Sequence, residues 1–274
     1  MLTKMLEDNA KIIISTGNVL NVNKKAGQKP TEELIDCLKA TLTEPLTNLE
    51  NAEIHRANDD LLDKINEHER NSIKIGAKLF LNTNSTEYLN EAVETVLQIL
   101  GIKCLDNLIL AYHPTTKNIE QADYTNLNGS LSNENSENTQ NSHSKAKEPL
   151  EDVKKLWNCL EKYSVNKQIC QLGISDLDPD SFAELHGNSK VHPTIAQINL
   201  STCCVVPPAL QEFCNKNDVQ LLTHSDPEVI LPDDILPNMG LSGYKPIWAV
   251  RYQVHVKCRG LLTAKGYIVA TSRH

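Results

Sequence analysis

Ile73-Lys-Ile-Gly-Ala-Lys-Leu-Phe-Leu81 is an apolar run dense enough for a strand, and Thr83-Asn-Ser-Thr86 follows it as a capping turn. Beyond the turn, Leu89, Val93, Val96, Leu97 and Leu100 recur at helical spacing and stop at Gly101, a residue suited to the position just past a helix. Leu105-Asp-Asn-Leu-Ile-Leu-Ala-Tyr112 is then a second buried strand, ending at His113-Pro114. Strand, amphipathic helix and strand in this order form a βαβ unit, whose geometry demands a parallel pair.

The unit repeats downstream. Pro149 opens a helix with Leu150, Val153, Trp157 and Leu160 on one face, and Gln168 to Ile174 is the next strand. Ser181 to His186 (helix) and Ile195 to Leu200 (strand) follow, then a helix from Pro208 through Leu210 and Phe213 to the strand Val219 to Thr223. Between the two series, residues 126 to 145 contain Asn or Ser at eleven of twenty positions, with nothing able to pack. The reading is one domain over 1–274 with a disordered Asn/Ser-rich insertion at about 115–148. About 235 residues remain without the insertion and its flanks, close to the ~250 of a (β/α)8 barrel. An open doubly wound sheet has the same periodicity.

The two ends differ from this pattern. Residues 31 to 70 read as a charged helical region with Leu34, Ile35, Leu38 and Leu42 as its apolar stripe. From Trp248 to Cys258, Trp, Val, Tyr and Cys alternate strictly with Ala249, Arg251, Gln253, His255 and Lys257, and Gly260 followed by Leu-Leu-Thr-Ala-Lys-Gly-Tyr-Ile-Val-Ala predicts a C-terminal β-hairpin-like extension. Such a hairpin serves either as the last strand and its cover or as an edge on which a partner pairs.

Composition excludes several functions. The 274 residues are 40% apolar and 4% aromatic, and 27 Lys and Arg against 35 Asp and Glu leave a formal charge of −8. That balance disfavours nucleic acid and anionic lipid, both of which reward clustered cations. Acids near the start interrupt any secretory signal, and no apolar run nears the ~20 residues of a membrane helix. A soluble, cytoplasmic protein is expected. Its eight cysteines should therefore stay reduced. With no C-x-x-C or H-E-x-x-H spacing, no metal site is expected. No G-x-G-x-x-G, P-loop or G-x-S-x-G is present either.

Lys167-Gln-Ile-Cys-Gln-Leu-Gly-Ile-Ser-Asp-Leu177, Ala196-Gln-Ile-Asn199, Thr223-His-Ser-Asp-Pro227 and Leu105 to Leu110 together resemble the strand ends of the aldo-keto reductases. The resemblance covers roughly residues 70 to 230 and implies an α/β (β/α)8 TIM-barrel-like fold. It also implies a test of catalysis, because those enzymes use a Tyr proton donor tuned by a Lys and an Asp, with a His orienting the carbonyl. Lys78 fits the Lys. The Tyr should precede it, yet the first tyrosine is Tyr88. Ala111 occupies the His place, with His113 two residues on. On the cofactor side Asp176 replaces the carboxamide-binding Asn, leaving Ser175 and Gln197, and no C-terminal adenosine-phosphate clamp matches. Lys78 is expected to survive as a buried or salt-bridged relic of the reductase site, with no catalytic residues and no cofactor.

Gln197-Ile-Asn-Leu-Ser-Thr-Cys-Cys-Val-Val-Pro-Pro-Ala-Leu210 and Val219-Gln-Leu-Leu-Thr-His-Ser-Asp-Pro227 are similar to the regulatory (modifier) subunit family of glutamate-cysteine ligase. So are Ser15-Thr-Gly-Asn-Val-Leu-Asn21, Glu33 to Leu38, Ile75 to Phe80, Gly173 to Asp178 and Lys257 to Ile268. This resemblance runs from one end of the chain to the other and departs from the family mainly at the insertion. It implies a non-catalytic subunit that forms a heterodimer with the ligase catalytic subunit in the first step of glutathione biosynthesis, improving its use of glutamate and relieving feedback by glutathione. An NADPH-dependent aldo-keto reductase is the alternative. A redox-sensitive link between subunits, which the family implies, points to Cys203 and Cys204 at a strand's C-terminal end, with Cys258 as a second candidate. Packing beneath Pro207-Pro208 is the competing role for the pair. Cys37, Cys159, Cys170 and Cys214 are expected in the core.

Overall fold

Thr86 begins a helix because Ser85, extended just before it, accepts a hydrogen bond from Tyr88 N. Gly101 ends that helix because it can adopt φ +62°. These signals are realised in a computed structural model that describes residues 9–22, 27–44, 52–114, 147–200 and 205–273. The first half comprises β1 (Lys11–Ser15), α1 (Pro30–Thr43), β2 (Glu53–His55), α2 (Leu61–Asn66), β3 (Ile73–Leu81), α3 (Thr86–Ile99) and β4 (Leu105–Tyr112). The second comprises α4 (Lys147–Val165), β5 (Ile169–Ser175), α5 (Pro179–Asn188), β6 (Ile195–Asn199), α6 (Pro208–Lys216), β7 (Gln220–His224), β8 (Tyr244–Val256) and β9 (Leu261–Arg273). Most of the expected insertion, 115–146, lies outside the described residues, and α4 already begins at Lys147.

Among the described residues nine strands form one sheet in the order β2-β1-β9-β8-β3-β4-β5-β6-β7. Strands β3 to β7 are parallel to one another, with Lys78 opposite Ile109 and Ile109 opposite Gly173. This is the expected aldo-keto reductase-like α/β architecture. The remaining places are filled differently: β8 runs antiparallel to both β3 and β9, and β9 antiparallel to β1. Among the described residues no pairing joins β2 to β7.

Two readings of the chain ends are corrected. Residues 31–70 are not continuously helical, since β2 lies between α1 and α2 and pairs in parallel with β1. Three residues are too few for a period-two signal to register. The hairpin is present but central, because β8 pairs with β3 along Ile73 to Leu81 and β9 pairs with β1. Both of its outer edges are taken, so it offers no free edge for a partner.

Alternation divides the side chains between two faces. Ile73, Ile75 and Leu79 of β3 pack with Val93 and Val96 of α3 and with Leu156, Trp157 and Leu160 of α4, all fully buried. The opposite face buries Phe80, Tyr267, Ile12 and Ile14 against Leu34 and Leu38 of α1. The sheet curls toward this second face, because Asp226, just past β7, reaches Lys78 on β3. No helix among the described residues is long and apolar enough to cross a membrane.

Candidate functional site

Lys78 is an even-numbered residue of β3, so it points away from the helices into the curl, where it is 4% exposed. A lone ammonium buried to this degree carries a large desolvation cost. Asp226 offsets it, with Lys78 Nζ donating to Asp226 Oδ2 at 2.8 Å. The same carboxylate takes Arg251 of β8 as a fork: Nη2 donates to Oδ2 at 2.9 Å and Nη1 donates to Oδ1. Burial lowers the Lys78 ammonium pKa, and Asp226 restores part of the loss.

The network continues along the C-terminal ends of the parallel strands. Asp226 N donates to His224 Nδ1 at 3.1 Å, which leaves the ring proton on Nε2, 2.9 Å from Asp176 Oδ1. Asn199 N donates to the same oxygen at 3.0 Å, and His113 Nε2 lies 3.3 Å from Asp176 Oδ2. Burial would raise both carboxyls. For Asp226 it is overcome by nearby His224 and by the Arg251 fork, and for Asp176 by nearby His113 and His224, so both sit well below the usual carboxylate range. His224 loses basicity by burial but gains more from Asp176 and Asp226, and its pKa is raised. Asp176 holds its place at φ +64°, in the left-handed region that an L-residue adopts at a cost.

The site therefore contains the expected salt-bridged Lys78, and beside it three residues to which the sequence reading gave no role: Asp226, Arg251 and His224. Asp226 and His224 lay within a quoted motif, and the alternation of β8 set Arg251 opposite Trp248 and Val250. Nothing in one strand's sequence states which strand faces it across the sheet. A phenol is also closer than expected, since Tyr267 of β9 stands opposite Arg251, which stands opposite Lys78. Its hydroxyl donates to Glu33, to which Lys265 Nζ also pairs at 2.5 Å. Ala111 faces the same side as Phe80, as the register requires.

The nicotinamide cofactor implied by the reductase resemblance does not fit this arrangement. Ser175 Oγ and Gln197 Oε1 are buried without a hydrogen-bond partner, as two groups awaiting an amide would be. The third position is an anion, Asp176, whose Oδ1 is held by His224 and the Asn199 amide and whose Oδ2, 3.3 Å from His113 Nε2, accepts no hydrogen bond. No group of three His, Cys, Asp or Glu among the described residues is placed to hold a metal ion.

Cys203 and Cys204 lie outside the described residues, between Leu200 and Val205, which are 41% and 69% exposed. Cys258 is exposed in the β8–β9 turn, at the end of the sheet where β3 begins. That is the end opposite Asn199, which closes β6. Among the cysteines expected in the core, Cys37 and Cys214 are buried and Cys159 is partly so, but Cys170 is exposed. Burial, with Glu33 and Asp36 nearby, pushes the Cys37 thiol up to about 12.

The profile of the Aldo/keto reductase family matches residues 16–226. The chain is also 34% identical to the human protein named glutamate--cysteine ligase regulatory subunit, over 95% of this chain and 92% of that one. The chain belongs to the aldo/keto reductase family and, within it, to the glutamate–cysteine ligase regulatory subunits. The mouse member of this regulatory-subunit family is 33% identical over the same shares. A putative member from fission yeast is 26% identical over 42% of this chain and 43% of its own length. Among solved structures, an aldose reductase from Giardia lamblia aligns at 16% identity and TM-score 0.39, covering 58% of this chain and 48% of that one. An aldo-keto reductase complexed with NADPH aligns at 17% and 0.41, covering 60% and 42%.

Proposed function

We propose that this chain is a cytoplasmic, non-catalytic regulatory subunit that binds the glutamate–cysteine ligase catalytic subunit, improves its use of glutamate and relieves feedback by glutathione. The observation that carries the reading is the end-to-end likeness, at 34% identity, to a protein named for that regulatory role. The site supports it. The nearest phenol along the row of Lys78, Tyr267, is separated from it by Arg251 and donates its hydrogen bond to Glu33 instead. Regulation then works by differential affinity: a subunit that binds one conformation of its partner more tightly shifts the partner toward it, and ~1–3 kcal/mol gives a 5- to 150-fold effect.

The decisive experiment mixes the two purified subunits and measures co-elution, the apparent KM for glutamate and inhibition by glutathione. Co-elution with a lowered KM is expected. An unchanged KM with no co-elution overturns the proposal.

The redox-sensitive contact is assigned to Cys203 or Cys204, with Cys258 second. Diamide should crosslink the two subunits on a non-reducing gel, and Cys203→Ser/Cys204→Ser should abolish the band. A band that survives the double substitution but not Cys258→Ser moves the contact to the β8–β9 turn.

The unpaired Ser175 Oγ and Gln197 Oε1 favour an NADPH-dependent reductase as the second reading. It requires NADPH to be consumed with a model aldehyde, and no turnover is expected.

A further inference from the structure

Cys104 and Cys170 are 66 residues apart in the chain, yet their sulfurs lie 3.3 Å from one another. The register explains the approach. Leu105 of β4 stands opposite Ile169 of β5, and Leu105 N donates to Gln168 O at 2.9 Å. The residue just before β4 is thereby set beside the second residue of β5. Cys170 is exposed and Cys104 partly so, and a cleft of about 380 Å³ lined by His68, Arg70, Lys103 and Cys104 opens next to the pair. Arg70 fixes the backbone there, its Nη2 donating to Cys104 O at 2.8 Å and to Asp106 Oδ2 at 2.7 Å.

We infer that Cys104 and Cys170 are a dithiol modification site, oxidised by a hydroperoxide to an intrachain disulfide that pins the start of β4 to β5. The Cys170 thiolate attacks the peroxide oxygen, giving a Cys170 sulfenic acid and, after protonation, one water. The Cys104 sulfur then attacks the Cys170 sulfur, the S–O bond breaks, and the oxygen leaves as a second water with the Cys104 proton. Two thiols and one hydrogen peroxide thus become one disulfide and two waters.

The order of events follows from the surroundings. Cys104 is a poor first nucleophile: burial, the bond to Cys170 and the charge of Cys170 push its thiol up to about 11. With its Sγ 3.3 Å from Cys170 Sγ, Cys104 is placed to act as the resolving group. In a reducing compartment such a disulfide is transient, as redox-sensing disulfides are. The pair sits at the end of the sheet away from Asp226, so closing it leaves the Lys78 network untouched.

The test uses the full chain, treated with hydrogen peroxide, alkylated and digested with trypsin. Lys103 and Lys167 precede the two cysteines, so cleavage gives peptides 104–117 and 168–190, each with a single cysteine. The expected product is these two peptides joined, at least tenfold more abundant than any other cysteine pair and lost on adding dithiothreitol. With Cys104→Ser, dimedone should trap Cys170 as its sulfenic acid. With Cys170→Ser, Cys104 should remain an alkylatable thiol. A native chain in which Cys170 is trapped by dimedone but no joined peptide forms overturns the inference. So does joining of either cysteine to a third residue in equal yield.

Discussion

Lys78 and Arg251 stand directly opposite each other on neighbouring strands, two cations in a cross-strand pair. Like charges at that spacing destabilise a sheet. Asp226 reverses the sign by accepting hydrogen bonds from both. One carboxylate beyond β7 therefore ties β3 and β8 to the far side of the curl, and the identity of a single residue decides whether this row repels or binds.

Removing that charge should be costly. Asp226→Asn leaves two buried cations facing each other, and breaking a buried ion pair in this way costs about 3–5 kcal/mol. Urea denaturation is expected to show a loss of that size. Adding Lys78→Met to the variant should recover part of it by removing one stranded charge. A loss under about 1 kcal/mol would show that the network contributes nothing.

The pH dependence has two limbs. Asp226 and Asp176 are depressed, so their stabilisation is present above the unfolded Asp value of about 3.9 and is lost as pH falls through the lower folded values. His224 is raised, so its contribution is full below about pH 6.5 and is lost as pH rises through its folded value. His255 and His186 are lowered by burial and give slopes of the opposite sign. The His224 contribution is therefore read as a difference: between pH 6 and 8 the native chain should lose its advantage over His224→Asn. Parallel curves for the two proteins would refute it.

Two glycines should respond oppositely to one methyl group. A Cβ on Gly266 of β9 would lie 2.1 Å from Gly17 O and 2.2 Å from Tyr252 Oη, in a place where Tyr252 Oη donates to Gly17 O at 2.8 Å. Gly266→Ala should break that bond and overpack the sheet, lowering stability by about 1–3 kcal/mol. Gly187 is exposed in α5 with nothing within 4 Å of a Cβ, so Gly187→Ala should stabilise by about 0.5–1 kcal/mol. Thermal melts decide both signs.

Trp157 and Glu161 lie one turn apart on α4 and together hold the segment between α5 and β6. Trp157 Nε1 donates to Val191 O at 2.9 Å, and Glu161 Oε1 accepts from Lys190 N at 2.7 Å and Val191 N at 3.1 Å. Glu161→Ala should cost about 1.5–3 kcal/mol. It should speed amide hydrogen exchange at Lys190 and Val191 well above any change in β4. Unchanged exchange at those two amides would show that another contact holds the segment.

The parts of this fold legible in the sequence are those whose cause is local. Ser85, Gly101 and Pro208 mark helix ends through their own side chains or backbone freedom, and β3 and β4 close on apolar runs, Leu79 to Leu81 and Leu108 to Tyr112, where both faces are covered. What was missed depends on partners distant in the chain. Glu53-Ile-His55 becomes a strand only because β1 is there to pair with it. Arg251 and Asp226 become one site only because the sheet curls. Cys170 lies within a strand and its sequence setting suggests core, but at the second position of β5 it is exposed. The salt-bridged fate of Lys78 was legible, but its partners were not.

The place of β9 has a consequence for how the molecule is made. β1 begins at residue 11 and is held by β9, which ends at residue 273, and β9 also completes the pairing of β8. During synthesis β1 must therefore wait for β9, because that neighbour leaves the ribosome only after β3 to β8 have been made. β3 to β7 can assemble earlier from sequential βαβ units, while Ile12 and Ile14 remain without the strand that will cover their backbone. Loss of β9 would remove not a tail but the seam between β1 and the rest of the sheet.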